Sequence, residues 1–307
     1  MRTAYISHPE FLKHDMGPDH PECPARMYAI SDQLIASGIL DYLNHYEASK
    51  VGKEILALAH NVDYIDWVYQ NAPSDGLIDL DGDTLMNPYT LDAALYATGA
   101  VVNAVDLVMS GEVNNAFCNI RPPGHHAKRN GASGFCIFNN VAVAAAYALE
   151  YHGLQRVAIA DFDVHHCDGT EDIFRDDPRV MLCSTFQHPF YPFCGAESSN
   201  DHIINVPLAA GTNGEGFRSA VEAHWLPALA RFEPQLILIS AGFDAHREDD
   251  MGGLALNEKD YLWVTQQLKK IAAQFCHKRI VSALEGGYEL HALGRSVMTH
   301  VKCLAEL

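Results

Sequence analysis

Cations are scarce in this chain. Lys and Arg number 21 against 39 Asp and Glu, a formal charge of −18. Phosphate recognition needs clustered cations, so this balance argues against nucleic acid as a partner and weakly favours a cationic substrate. Paired cysteines are lacking as well. Eight cysteines are present, but no two stand as C-x-x-C, which removes zinc-finger and thioredoxin-like readings. A secretory signal needs an apolar run, and Met1–Phe11 is interrupted by polar residues. No uninterrupted apolar stretch reaches the ~18 residues of a membrane span. The expectation is a protein with free thiols in a reducing cytoplasm, off the membrane. Low-complexity tracts, repeats and Gly/Ser linkers are missing too, so residues 1–307 read as a single domain. At 48% apolar and 20% charged, the composition is that of an ordinary globular chain.

Short apolar runs alternate with amphipathic stretches. The strand candidates are Thr3–Ser7, Asn115–Ile120, Arg156–Phe162, Val180–Phe186, Gln235–Ser240 and Arg279–Leu284. Several are continuously apolar, as parallel strands buried on both faces should be. The helix candidates are Pro24–Ser37, Leu91–Ser110, Asn140–His152, Gly214–Phe232, Glu258–Gln274 and Leu290–Leu307. Asn257 is placed to cap the fifth of these, with Asp260 three residues on. The alternation predicts an α/β chain with a parallel sheet covered by helices on both faces.

Ligands of such sheets sit beyond the strand C-termini. Four predicted strands end in chemistry: Arg121-Pro-Pro-Gly-His-His, Asp163-Val-His-His-Cys-Asp-Gly, Ala241-Gly-Phe-Asp-Ala and Glu285-Gly-Gly-Tyr. Asp161, Asp163 and His165 alternate, so extended backbone would point them to one side. Asp163 and His165, with Asp244 from another strand end, form an O/N/O ligand set for a divalent metal with a position left open, as catalytic sites have. Ligand type alone leaves zinc, iron, manganese and cobalt open. His125 and His126, after two stiffening prolines, suit a general base and an electrostatic partner, and Asp161 and Asp168 are available to orient them. Tyr288 can donate to a developing oxyanion.

These motifs, with Gly134-Phe-Cys-Ile-Phe-Asn-Asn-Val-Ala, resemble the metal-dependent histone deacetylase family in order and spacing, over about His20 to Tyr288. The wording is most similar to the class II and bacterial branch, which includes acetylpolyamine amidohydrolases. The resemblance implies a three-layer arginase-like fold with a central parallel sheet of about eight strands. It implies hydrolysis of N-acetyl or N-acyl lysine side chains by a zinc-activated water, the alternative substrate being an acetylpolyamine or another small molecule. It assigns the zinc to Asp163, His165 and Asp244. His126 is then the general base and His125 its electrostatic partner, with Asp161 and Asp168 behind them. Tyr288 is the oxyanion donor, Gly134 receives the substrate N–H, and Phe135 and Tyr191 wall an acyl-lysine tunnel. Arg26 braces the Gly-Gly turn. Structural potassium is implied near Asp161, Asp163, His165, Ser184 and Thr185, and near the carbonyls of Phe174, Asp177 and Val180.

The chain departs from the family in places. Cys167 stands where glycine is usual, and its expected state is a buried, inert thiol. Phe193-Cys194-Gly195 replaces Gly-Thr-Gly at the tunnel rim. Met251 occupies the gatekeeper position, where polyamine-selective relatives place glutamate. That favours acyl-lysine, although Glu248, Asp249 and Asp250 adjoin it. Glu22 and Asp83 are read as groups that could meet a substrate cation or backbone. An acyl-lysine protein or peptide, or an acetylated polyamine, is the expected partner, and homo-oligomerisation is left open. A ureohydrolase reading needs a two-metal ligand set, which the single cluster does not supply.

Overall fold

The computed structural model describes residues 2–307. Ten strands form: β1 Thr3–Ser7, β2 Asn44–Glu47, β3 Ile78–Asp79, β4 Leu85–Met86, β5 Asn115–Cys118, β6 Val157–Asp161, β7 Val180–Gln187, β8 Ile203–Leu208, β9 Leu236–Ala241 and β10 Ile280–Leu284. Eight of them make one parallel sheet in the order β2-β1-β5-β10-β9-β6-β7-β8. Helices Thr90–Met109 and Asn140–Tyr151 pack on one face. Helices Ala25–Ala36, Glu258–Phe275 and Leu290–Ala305 pack together on the other. The result is three layers, as expected. Every residue of β5, β6, β7, β9 and β10 is buried, which explains why they read as mostly apolar rather than alternating.

The six strands read from the sequence all form, and the two they omit are the sheet's edges. β2, Asn-His-Tyr-Glu, is largely exposed and carries no apolar run. β8 contains Asn205 and an exposed Pro207, a residue that only an edge strand accommodates. The small β3–β4 pair was not anticipated either; its two-residue strands leave no periodicity to read. Helices Val62–Asn71 and Asp168–Phe174 also form beyond those expected.

Asn257 and Asp260 make the full reciprocal cap anticipated for helix Glu258–Phe275. The helix 214–232 runs on as one rod but widens into a π turn at Val221–Trp225, just before Pro227. Pro227 has no N–H for the ladder, and its ring would strike the carbonyl a turn earlier, so the widened turn relieves both. Helix Thr90–Met109 is long and apolar enough by composition to cross a membrane, although Thr98 and Asn103 interrupt its apolar run. It is mostly buried, packed on β5, β10, β1 and helix Asn140–Tyr151.

Candidate active site

The four chemistry-bearing loops follow β5, β10, β9 and β6, which are the four adjacent central strands of the sheet. Their ends therefore converge on one spot at its C-terminal edge. The loop after β6 coils back on itself rather than staying extended. Asp161 Oδ1 accepts the Asp163 N–H at 3.1 Å, and Asp163 Oδ1 accepts the His165 N–H at 2.9 Å. That turn separates the three residues the alternation had grouped. Asp163 and His165 face Asp244, whereas Asp161 turns to His125.

Ligand atoms of Asp163, His165 and Asp244 all lie within 4.8 Å of one another, and all three residues are buried. His165 Nδ1 lies 3.0 Å from Asp163 Oδ1 and 3.3 Å from Asp244 Oδ2. Asp163 Oδ2 accepts the Gly286 N–H at 2.9 Å, and Asp244 Oδ1 accepts the Val164 N–H at 2.8 Å. Asp244 Oδ2 is buried and has no hydrogen-bond partner. Such an atom is costly unless a cation meets it. Burial, then the charge of Asp163, pushes the Asp244 carboxyl up to about 7. Against burial, Asp163 and Asp244 raise the His165 imidazole to about 10. Both shifts say that two carboxylates here need positive charge, which fits a divalent metal. Gly286 permits the crowding, because a Cβ there would sit 2.0 Å from Asp244 Oδ2.

His125 and His126 stand with ring centroids 4.1 Å apart, and each is oriented from behind. His125 Nδ1 is 3.0 Å from Asp161 Oδ2, and His126 Nδ1 is 2.7 Å from Asp168 Oδ1. Burial opposes a charge on His125, but the carboxylates of Asp163 and Asp161 overcome it and hold the imidazole well above its ordinary range. Burial and then the His125 charge push His126 down to about 4. One imidazole is thus held cationic and its neighbour neutral, the separation that acid–base work requires. Burial also holds the Tyr288 hydroxyl well above its usual range, so it remains a proton donor.

Above these groups opens a cavity of about 290 Å³. Asp83, Gly134, Phe135, Tyr191 and Met251, all named from the sequence, line it together with His126, His165 and Tyr288. Tyr191 meets His126 edge-on at 5.2 Å, and Phe135 meets Tyr288 edge-on at 6.0 Å. Gly134 has a φ of 53°, and a Cβ there would lie 2.4 Å from the His126 ring, so only glycine lets this wall approach the imidazole. Asp83 sits in the turn joining β3 to β4, whose Thr84 hydroxyl accepts the Phe135 N–H at 3.0 Å.

The family model described as histone deacetylase domain matches residues 20–304. The chain belongs to the histone deacetylase family. It is 37% identical to a protein of Archaeoglobus fulgidus named a probable deacetylase, over 94% of this chain and 82% of that one. It is 35% identical to the human polyamine deacetylase HDAC10, over 99% of this chain and 48% of that one. Among solved structures, the HDA15 HD domain superposes with a TM-score of 0.94 at 32% identity, covering 99% of this chain and 88% of that chain. The three-layer fold with its eight-stranded parallel sheet is that of the family, and the chain is a deacetylase-type hydrolase.

Against this deacetylase frame, Glu22 is a correction. It does not reach the cavity: it is completely buried, held by Arg26 Nη1 at 2.9 Å and by Arg121 Nε and Nη2 at 2.5 Å each. A carboxylate so near two guanidiniums satisfies them and cannot greet a substrate. Arg26 in turn donates to the Gly287 carbonyl at 2.7 Å and to that of Glu285, and lies 4.9 Å from the Tyr288 ring centroid. Of the acids beside Met251, only Asp250 lines the cavity. Glu248 pairs with Arg295 at 2.8 Å, and Asp249 is buried, accepting the N–H groups of Met251, Tyr288 and Glu289. Cys167 is fully buried and its thiol is held far up by burial, the inert state expected of it. Phe190 was missed as a wall: it stacks on His165 at 5.5 Å, and its place beside Tyr191 was the available signal.

Proposed function

We propose that this chain hydrolyses the amide of N-acetyl or N-acyl lysine with one zinc ion held by Asp163, His165 and Asp244. The observation that carries the reading is the convergence of an O/N/O ligand set, an oriented histidine pair and Tyr288 at the floor of one narrow aromatic-walled cavity. Zinc bound there would supply a Lewis acid for the substrate carbonyl and lower the pKa of the attacking water. The aromatic walls, Phe135, Phe190 and Tyr191, enclose the apolar stem of the acylated side chain, and the neutral amide enters without burying an ammonium. The Gly134 carbonyl takes the substrate N–H; it already accepts the Cys136 thiol at 3.3 Å and keeps a second lone pair. His126, neutral and steered by Asp168, takes the proton from water and passes it to the departing amine. His125, held cationic, stabilises the negative charge that builds beside it. Tyr288 donates to the oxyanion, so Tyr288→Phe should keep zinc and lose ~10²-fold or more in kcat. Retained turnover would remove Tyr288 from the mechanism.

Ser184 pairs in register with Asp161, and its hydroxyl is buried without a partner, which fits potassium behind the site. Eight unpaired cysteines support a reducing compartment such as the cytoplasm.

Acetylpolyamine is the second reading. Asp250 at the cavity favours it, and the relative HDAC10 is named for polyamines. The test is kcat/KM of the zinc-loaded protein on an acetyl-lysine peptide against acetylspermidine. A preference of ~10²-fold, about 2.7 kcal/mol, for the peptide supports the first reading. The opposite preference assigns the mouth to Asp250 and overturns it.

A further inference from the structure

We infer that Glu285 is a positioning residue, whose carboxylate couples the loop bearing His125 and His126 to the loop bearing Tyr288. The inference rests on the deacetylase reading above. Glu285 stands just past the end of β10 and is completely buried. β10 lies between β5 and β9, so the side chain reaches both neighbours. Its Oε2 accepts the backbone N–H of Gly124 at 2.7 Å and of His125 at 3.1 Å. Its Oε1 accepts the Ser240 hydroxyl from β9 at 3.2 Å. Its own carbonyl accepts the Arg26 guanidinium, and Tyr288 follows three residues later. No proton transfer in the proposed reaction uses it.

Two successive N–H groups aimed at one oxygen fix the peptide between Gly124 and His125, and with it the direction in which both imidazoles leave the backbone. Without the carboxylate, two buried donors would lack partners. Burial and the nearby Asp161 push the Glu285 carboxyl up to about 7, so holding it here is unfavourable in itself and is offset by the donors it gathers. A displacement of the reacting groups by ~1 Å can lower turnover ~10²-fold.

The experiment compares E285L, E285Q and the wild-type chain, all zinc-loaded, by steady-state kinetics and by amide hydrogen exchange of residues 119–128. Glutamine can accept both N–H groups on its one oxygen and donate to the Ser240 hydroxyl. E285Q should therefore keep most of the wild-type kcat and the slow exchange. E285L should lose ~10- to 10²-fold in kcat with KM and zinc content kept, and its 119–128 amides should exchange faster. Wild-type kcat and exchange in E285L would overturn the inference, as would E285Q falling as far as E285L. Should E285L fail to fold, E285D, with the same charge one methylene short, carries the same expectation. If the wild type deacetylates nothing, the proposed function fails, whereas the exchange comparison still tests the coupling.

Discussion

Two tandem histidine pairs, His125-His126 and His165-His166, follow β5 and β6, the outer two of the four central strands, and all four rings are buried. Three of them face the cavity floor or its ligand set. His166 turns the other way: its Nε2 pairs with Glu171 at 2.8 Å and its ring packs 4.5 Å from Phe186. His165 sits between two carboxylates, His125 faces Asp161 and Asp163, and His126 faces one carboxylate and one imidazolium. Residue type and burial are shared. The role of each ring follows from which charge stands at which nitrogen, and that is a property of the loops around it.

That comparison can be broken by substitution. The largest effect is expected at His165→Ala, where zinc stoichiometry should fall toward zero and activity to background; full zinc content by metal analysis would remove His165 from the ligand set. His126→Ala should keep zinc and lose ~10²- to 10⁴-fold in kcat, more than His125→Ala. Equal or reversed losses in single-turnover rates would overturn the assignment of base and partner. His166→Ala should cost about 1–3 kcal/mol in urea unfolding while turnover per folded, zinc-loaded molecule is kept; lost turnover at wild-type stability would make the fourth ring functional.

The smallest effect is a pH dependence. Burial would raise the Asp168 carboxyl, but His126 and Lys128 hold it at about 2, below the ordinary ~3.9. A carboxyl depressed in the folded state stabilises fully above its unfolded pKa and loses that contribution as pH falls toward its folded one. The stability gap between wild type and Asp168→Asn should therefore be widest above pH ~5 and narrow below pH ~4. A gap that widens with acidification would contradict the His126 hydrogen bond and the Lys128 ion pair at Asp168.

The buried middle of the sheet was legible because continuous apolar runs such as Leu236–Ile239 permit little else. Its edges were not. β2 and β8 are held by one neighbour each and carry no pattern that their residues alone would demand. The candidate site was legible through its local words, and the five cavity residues named from the sequence do meet in one cavity. Glu22 shows the opposite case. A glutamate in Pro-Glu-Cys-Pro reads as a group that could meet a substrate cation, and only the fold brings Arg26 and Arg121 around it.

By itself, then, the amino-acid sequence determined the strand cores, the capping of helix Glu258–Phe275, the donor types of the candidate metal site and the two histidine pairs, because each rests on short-range pattern or on side-chain chemistry. The tertiary structure decided the rest. The order β5-β10-β9-β6 gathers loops as far apart in the chain as His125 and Tyr288. It leaves Asp244 Oδ2 without a partner, buries Glu22, and sends Asp161 to His125 rather than to the ligand set. Those outcomes depend on which strand ends lie side by side and on the charges they bring within a few ångströms, and no run of residues along one chain segment encodes that.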